Sequence, residues 1–111
     1  MTINSRQKGA RAERELAHKL TDLSAFSCRR GQQFSGANGD PDVVGLPMIH
    51  IECKAVERLQ LRDAMTQSER DKRDEEIPVV MHKKNRQPWL VTLNLEDFMQ
   101  MYNAWIKEAE E

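Results

Sequence analysis

Asp42, Glu52 and Lys54 are the side chains of this sequence whose types and spacing point to chemistry. In the run Ile49-His50-Ile51-Glu52-Cys53-Lys54, an extended backbone sends Ile49, Ile51 and Cys53 to one face and His50, Glu52 and Lys54 to the other. A carboxylate and an ammonium then stand together at the end of a strand whose opposite face is apolar. Asp42 lies upstream, after the turn Gly39-Asp40-Pro41, and opens the preceding strand. If the two strands pair as a hairpin about Leu46-Pro47, Asp42 and Glu52 approach each other across the ladder. Two converging carboxylates repel unless a divalent cation sits between them. As a string of letters, an acid two places before a lysine carries no weight, because chance alone supplies one in a chain this rich in both. The strand face, its apolar partner face and the upstream Asp42 give the pattern its meaning. The competing reading is a surface salt bridge on an edge strand, which would stabilise little.

A third acid follows from helical geometry. Glu13 precedes Leu16, Ala17 and Leu20 by three, four and seven positions, on the face of the apolar stripe. Glu15 aligns instead with His18 and Lys19 on the wet face. An inward carboxylate is uncommon unless paired or bound, so Glu13 is the candidate of the two. The alternative for it is a satisfied buried glutamate. His18, His50 and His82 are scattered and form no zinc spacing. His50 shares the face of Glu52, where a satisfied or exposed histidine is expected, with support of Glu52 as the alternative. Cys53 points to the core face and reads as packing. No phosphate-binding glycine motif or Ser-His-Asp order is visible.

These residues need elements to position them. Residues 5–23 have helical periodicity, with Ala12, Leu16 and Leu20 spaced by four. Residues 28–39 are loop-like, after a short strand near Phe26. Residues 43–46 and 48–54 read as two short strands. Residues 59–76 read as a helix that ends in eight consecutive charges, Glu69 to Glu76. Pro78 opens a strand over 79–83, and the polar turn 84–87 leads into a strand over 89–93, a second hairpin. Asn94 suits the N-cap of a last helix, with Glu96 and Asp97 at the positive end of its dipole. Its stripe of Phe98, Met101, Tyr102 and Trp105 reads as core or as a contact with a partner helix. The order of elements predicts an α/β or α+β fold, one sheet with helices packed on it.

Length and charge bound the rest. The 111 residues amount to a single domain, 1–111, with a core of ordinary size. No apolar run approaches a membrane span, the polar N-terminus is not a signal peptide, and two cysteines are too few for a disulfide framework. A reduced, cytoplasmic protein is expected. The net charge of −1 argues against a nucleic-acid partner only until it is divided along the chain. Residues 1–33 carry seven basic and three acidic groups, whereas residues 87–111 carry one and five. A basic head and an acidic tail cancel in the total.

The run Lys8-Gly9-Ala10-Arg11-Ala12-Glu13-Arg14-Glu15-Leu16, then Arg29 or Arg30, Asp42-Val43-Val44 and Ile51-Glu52-Cys53-Lys54, resembles the archaeal and phage Holliday-junction resolvases of the PD-(D/E)xK nuclease superfamily. The likeness is dense over residues 8–54, and beyond them the order of elements continues it without a diagnostic motif. It implies an α/β fold with a single mixed β-sheet flanked by helices, the restriction-endonuclease-like core. It also implies a Mg²⁺-dependent endonuclease, with Mn²⁺ as a substitute, acting on branched or duplex DNA as a homodimer. Carried over residue by residue, it makes Glu13, Asp42, Glu52 and Lys54 the active site. Asp42, Glu52, Glu13 and the backbone carbonyl of Cys53 would face the metal. Arg6, Lys8, Arg11, Arg29 and Arg30 would track phosphates. The insert 32–40 departs from the pattern and adds a second acid, Asp40, beside Asp42; Asp42 is preferred because it directly precedes Val43-Val44. Gln67 and Lys83 are further positions that could orient the site, each with a plain surface role as the alternative.

Overall fold

The computed structural model describes residues 5–32 and 41–111. Helix α1, Ser5–Leu23, leads into β1 (Arg29–Arg30), β2 (Val43–Val44) and β3 (Ile49–Ala55). Helix α2, Leu61–Asp71, crosses to β4 (Ile77–Lys83), which turns back into β5 (Leu90–Leu93) before α3, Leu95–Ala109. The strands form one sheet in the order β1-β2-β3-β4-β5. All neighbours are antiparallel except β3 and β4, which run parallel. This is the mixed-sheet α/β fold that the resemblance implies. No helix of the described residues is long and apolar enough to cross a membrane.

Alternation along the strands divides the core in two. Ile51, Cys53, Val79 and Met81 face α1, where they pack with Ala12, Leu16, Ala17 and Val43. On the opposite face Val80 packs under Ala64 and Met65 of α2. A parallel pair needs a crossover, and α2 supplies it while covering the second face. β3 is therefore the central strand of five, buried on both sides. That overturns the edge-strand reading of Glu52 and Lys54.

Other boundaries shift for local reasons. The short strand expected near Phe26 lies at Arg29–Arg30, because Thr21 Oγ1 accepts the Cys28 N–H at 2.9 Å and holds the preceding turn against α1. β2 keeps only two residues, since Gly45 and Met48 take positive φ angles of 122° and 74° and start the turn early. α2 stops at Asp71 instead of running to residue 76. Lys72 is extended, and the Glu76 carboxylate accepts the Arg73 N–H at 2.9 Å in a turn.

The largest departure is α3. Its sequence stripe suggested core or a partner contact, yet none of its residues is buried; Leu95 and Trp105 are 74% and 65% exposed. The core reading is thus wrong. Its rings meet one another, Phe98 on Tyr102 at 6.3 Å and Tyr102 on Trp105 at 6.0 Å between centroids. The molecule measures 55 × 31 × 27 Å, with a radius of gyration of 14.7 Å against about 13 Å for a compact domain of this length.

One glycine fixes the approach of β1 to the start of β2. Gly31 donates its N–H to the Asp42 carbonyl at 2.8 Å, and a Cβ there would overlap the Pro41 carbonyl oxygen. Gly31→Ala is expected to destabilise the fold by about 1–3 kcal/mol through this overlap. Gly9→Ala, inside α1 with nothing near the added methyl, should stabilise by up to about 1 kcal/mol. Denaturant melts of the two variants check the opposite signs.

Candidate functional site

The hairpin of β2 and β3 brings the two predicted carboxylates together. Val43 lies opposite Ile51, so Asp42 falls opposite Glu52 one step along the ladder. The Asp42 N–H donates to the Ile51 carbonyl at 2.9 Å, and its carboxylate Oδ2 accepts the Cys53 N–H at 2.8 Å. That second bond ties the Asp42 carboxylate to the backbone between Glu52 and Lys54. Asp42 is buried, and Glu52, 2% exposed, is more deeply so. Lys54 is half-buried two residues farther along the same face.

Burying charge here has a cost. Desolvation is the main reason the Glu52 carboxyl titrates above the usual glutamate range, and the Asp42 carboxylate pushes it further. His50 and Lys54 only partly offset this. Glu13 reaches the same group from α1. Its carboxyl is also raised, first by burial and then by Asp42, against the pull of Arg30 and Lys54. Arg30 holds Glu13 directly, with Nε 2.7 Å from Oε1. Glu13 and Glu52 thus each lie within electrostatic reach of Asp42 and Lys54. The expected inward turn of Glu13 is present, with Arg30 as its partner.

The arrangement is sparser than a complete side-chain cage. Among the described residues no three His, Cys, Asp or Glu side chains cluster to hold a metal ion. What the hairpin offers is two adjacent carboxylates and the backbone of Cys53. This oxygen set fits Mg²⁺, which takes one or two protein carboxylates and keeps much of its water. The Cys53 thiol is no rival donor: burial, first, and the nearby carboxylates push its ionisation far up, and it packs in the core.

The basic residues divide. Arg6, Glu13, Arg30 and Gln32 line one groove of about 530 Å³ beside β1, while Lys8, Arg11 and Lys83 line a second beside the end of β3. Arg29 is exposed on β1. Lys83 does not join the Glu52 face. It projects toward α1, with its ammonium 3.0 Å from Glu15 and 5.6 Å from the Trp89 ring centroid. Glu15 is therefore held by Lys83, which lowers its carboxyl pKa, and is not simply solvated. Gln67 is half-buried on α2 beside the buried Ser68, over the Glu52 face. Asp40 lies outside the described residues.

One neighbour of Glu52 differs from expectation. His50 is neither exposed nor satisfied: it is fully buried, and neither ring nitrogen has a hydrogen-bond partner among the described residues. Nε2 lies 3.5 Å from Glu52 Oε1, and Nδ1 lies 3.7 Å from Glu76 Oε1. The shared face of β3 signalled the first contact. Nothing separated Glu76 from the seven other charges of its run.

Comparison with known proteins gives this geometry a family. No curated protein and no solved structure matches the chain significantly. The family model described as "Phage putative PDDEXK endonuclease" matches residues 4–111, nearly the whole sequence. The match spans α1, the hairpin with Asp42 and Glu52, and all that follows to the end of α3. The chain belongs to this phage PD-(D/E)xK endonuclease family.

Proposed function

We propose that the protein is a Mg²⁺-dependent endonuclease that resolves four-way DNA junctions by phosphodiester hydrolysis. The observation that carries the catalytic part is the Asp42–Glu52 pair on a buried strand face with Lys54 beside it. Asp42, Glu52 and the Cys53 carbonyl are the groups to hold the metal, with Glu13 reaching it directly or through water. Bound there, a divalent cation supplies Lewis acidity and a water molecule of lowered pKa. Lys54 orients the attacking water and offsets charge gathering on the phosphate. Arg30, which Glu13 holds, would meet the phosphate backbone, with Arg29, Arg6, Lys8 and Arg11 extending the basic track.

The junction assignment rests on the sequence resemblance over residues 8–54. A four-way junction is two-fold symmetric and needs paired cuts, which a homodimer delivers. The uncovered stripe of α3 is compatible with a second copy. A panel of labelled four-way junctions, flaps, nicked duplexes and free ends, incubated with protein and Mg²⁺, tests the assignment. Paired nicks in the junction are expected, lost by about 10²–10³-fold in Glu52→Gln and in Lys54→Met. Preferential cutting of ends, nicks or flaps would replace the junction reading with another nuclease specificity. DNA binding without cutting or Mn²⁺ uptake would leave an inactive accessory protein. Junction binding should weaken steeply with added salt, and Arg29→Ala should reduce that slope by about one.

The Glu52 charge gives stability and activity opposite pH dependences. Its folded pKa is raised, so its favourable contribution to stability is complete below the ordinary value of 4.5 and is lost as pH rises through the raised value. Activity needs the ionised carboxylate and so appears over that same rise. In metal-free buffer at pH 7, Glu52→Gln should melt a few degrees above the parent protein, and the gap should close below pH 4.5. Thermal melts with a chelator across this range check it.

A further inference from the structure

Among the described residues, His50 makes no hydrogen bond through either ring nitrogen, although it is fully buried. Buried polar groups nearly always find partners, and a leucine or methionine would fill the same volume without leaving two nitrogens unserved. Two carboxylates among the described residues face the ring nitrogens. Nε2 faces Glu52 Oε1 at 3.5 Å and Nδ1 faces Glu76 Oε1 at 3.7 Å. Each gap exceeds hydrogen-bond length by only about 0.5 Å.

The surroundings hold the ring in this place. Ser68 Oγ donates to the His50 carbonyl at 3.2 Å, and lies 3.1 Å from the Val79 carbonyl, at the junction of β3, α2 and β4. Glu76 is fixed in turn by the Arg73 N–H. His50 and Glu52 lie two residues apart on one strand face, so the imidazole stands beside the Glu52 carboxylate on a rigid backbone. Opposite Glu52 stands Asp42, tied down by the Cys53 N–H.

We infer that His50 is a positioning residue: its Nε2 side steers the Glu52 carboxylate into the orientation in which it can share a cation with Asp42. The inference rests on the proposed metal site and deepens it by naming what sets the geometry of its second ligand. Glu52 is a flexible side chain that Asp42 repels. A donor beside it, 3.5 Å from one oxygen, draws that oxygen toward the ring and leaves the other for the metal, the usual part of a group that supports a ligand.

Three substitutions separate steering from packing, with Mn²⁺ binding measured by calorimetry on the intact protein. His50→Gln carries an amide near the Nε2 position, His50→Asn carries one near Nδ1, and His50→Leu carries none. His50→Leu and His50→Asn should weaken Mn²⁺ binding by about 10–100-fold, while His50→Gln should stay within a few-fold of the parent protein. Melts of the metal-free proteins accompany the titrations, and His50→Leu should melt no lower than the parent. If His50→Leu does not fold, the contrast between His50→Gln and His50→Asn decides the matter alone. Equal Mn²⁺ affinity in all three variants and the parent, with Glu52→Gln still abolishing uptake, would overturn the role of His50 and leave the metal site standing. No uptake by the parent protein would overturn both.

Discussion

β3 and β4 lie in parallel register over their whole length, from Ile49 opposite Ile77 to Ala55 opposite Lys83. A parallel pair cannot be closed by a tight turn, so the chain must cross over, and α2 is that crossover. Once α2 covers one face and α1 the other, the middle of β3, from His50 to Cys53, loses access to water on both sides. Every polar residue on it must then be bonded or must stay at a cost. Ser68 exists in this setting to serve two carbonyls at the crossing. Asp42 is drawn in by the same logic, since its carboxylate accepts an N–H from the central strand.

The site is therefore a region of unspent electrostatic tension. Burial, and then the Asp42 carboxylate, raise the affinity of Glu52 and of Glu13 for protons, and Arg30, His50 and Lys54 relieve only part of that. A protein optimised for stability alone would place apolar residues here. Retaining acids on the most buried strand face is the pattern of a structure that exchanges stability for a binding site. The cation that completes such a site should also settle the fold, because it binds only the folded arrangement of carboxylates.

Much of this geometry was legible in the sequence, and the exceptions have physical causes. Two-residue alternation in Ile49-His50-Ile51-Glu52-Cys53-Lys54 places Glu52 and Lys54 on one face, and the turn at Leu46-Pro47 brings Asp42 across from Glu52. The same alternation in β4 sets Lys83 with Val79 and Met81, on the α1 face, and so already separates it from Lys54. The short strand at Arg29–Arg30 was harder, because one side-chain hydroxyl on α1 fixes its start. The end of α2 was hidden inside eight charges with no apolar period to interrupt. The neighbours of His50 depend on tertiary placement: Glu76 is brought in by the crossover, and no local pattern marks it. For α3, a periodic stripe establishes an amphipathic helix, but the stripe does not say whether a core lies beneath it.

That last point has a consequence for how the molecule breathes. α3 has 15 residues and no buried side chain, so its hydrogen bonds are supported mainly by its own aromatic ladder and by the acids in its first turn. A helix of that length is marginal in water when nothing packs on it. In a lone chain, its amides should exchange with solvent through local fraying at free energies far below that of global unfolding, whereas those of β3 and β4 should exchange only when the core opens. The molecule then has two thermodynamic parts of very different depth: a cooperative sheet that carries the carboxylates, and a terminal helix in its own helix–coil equilibrium.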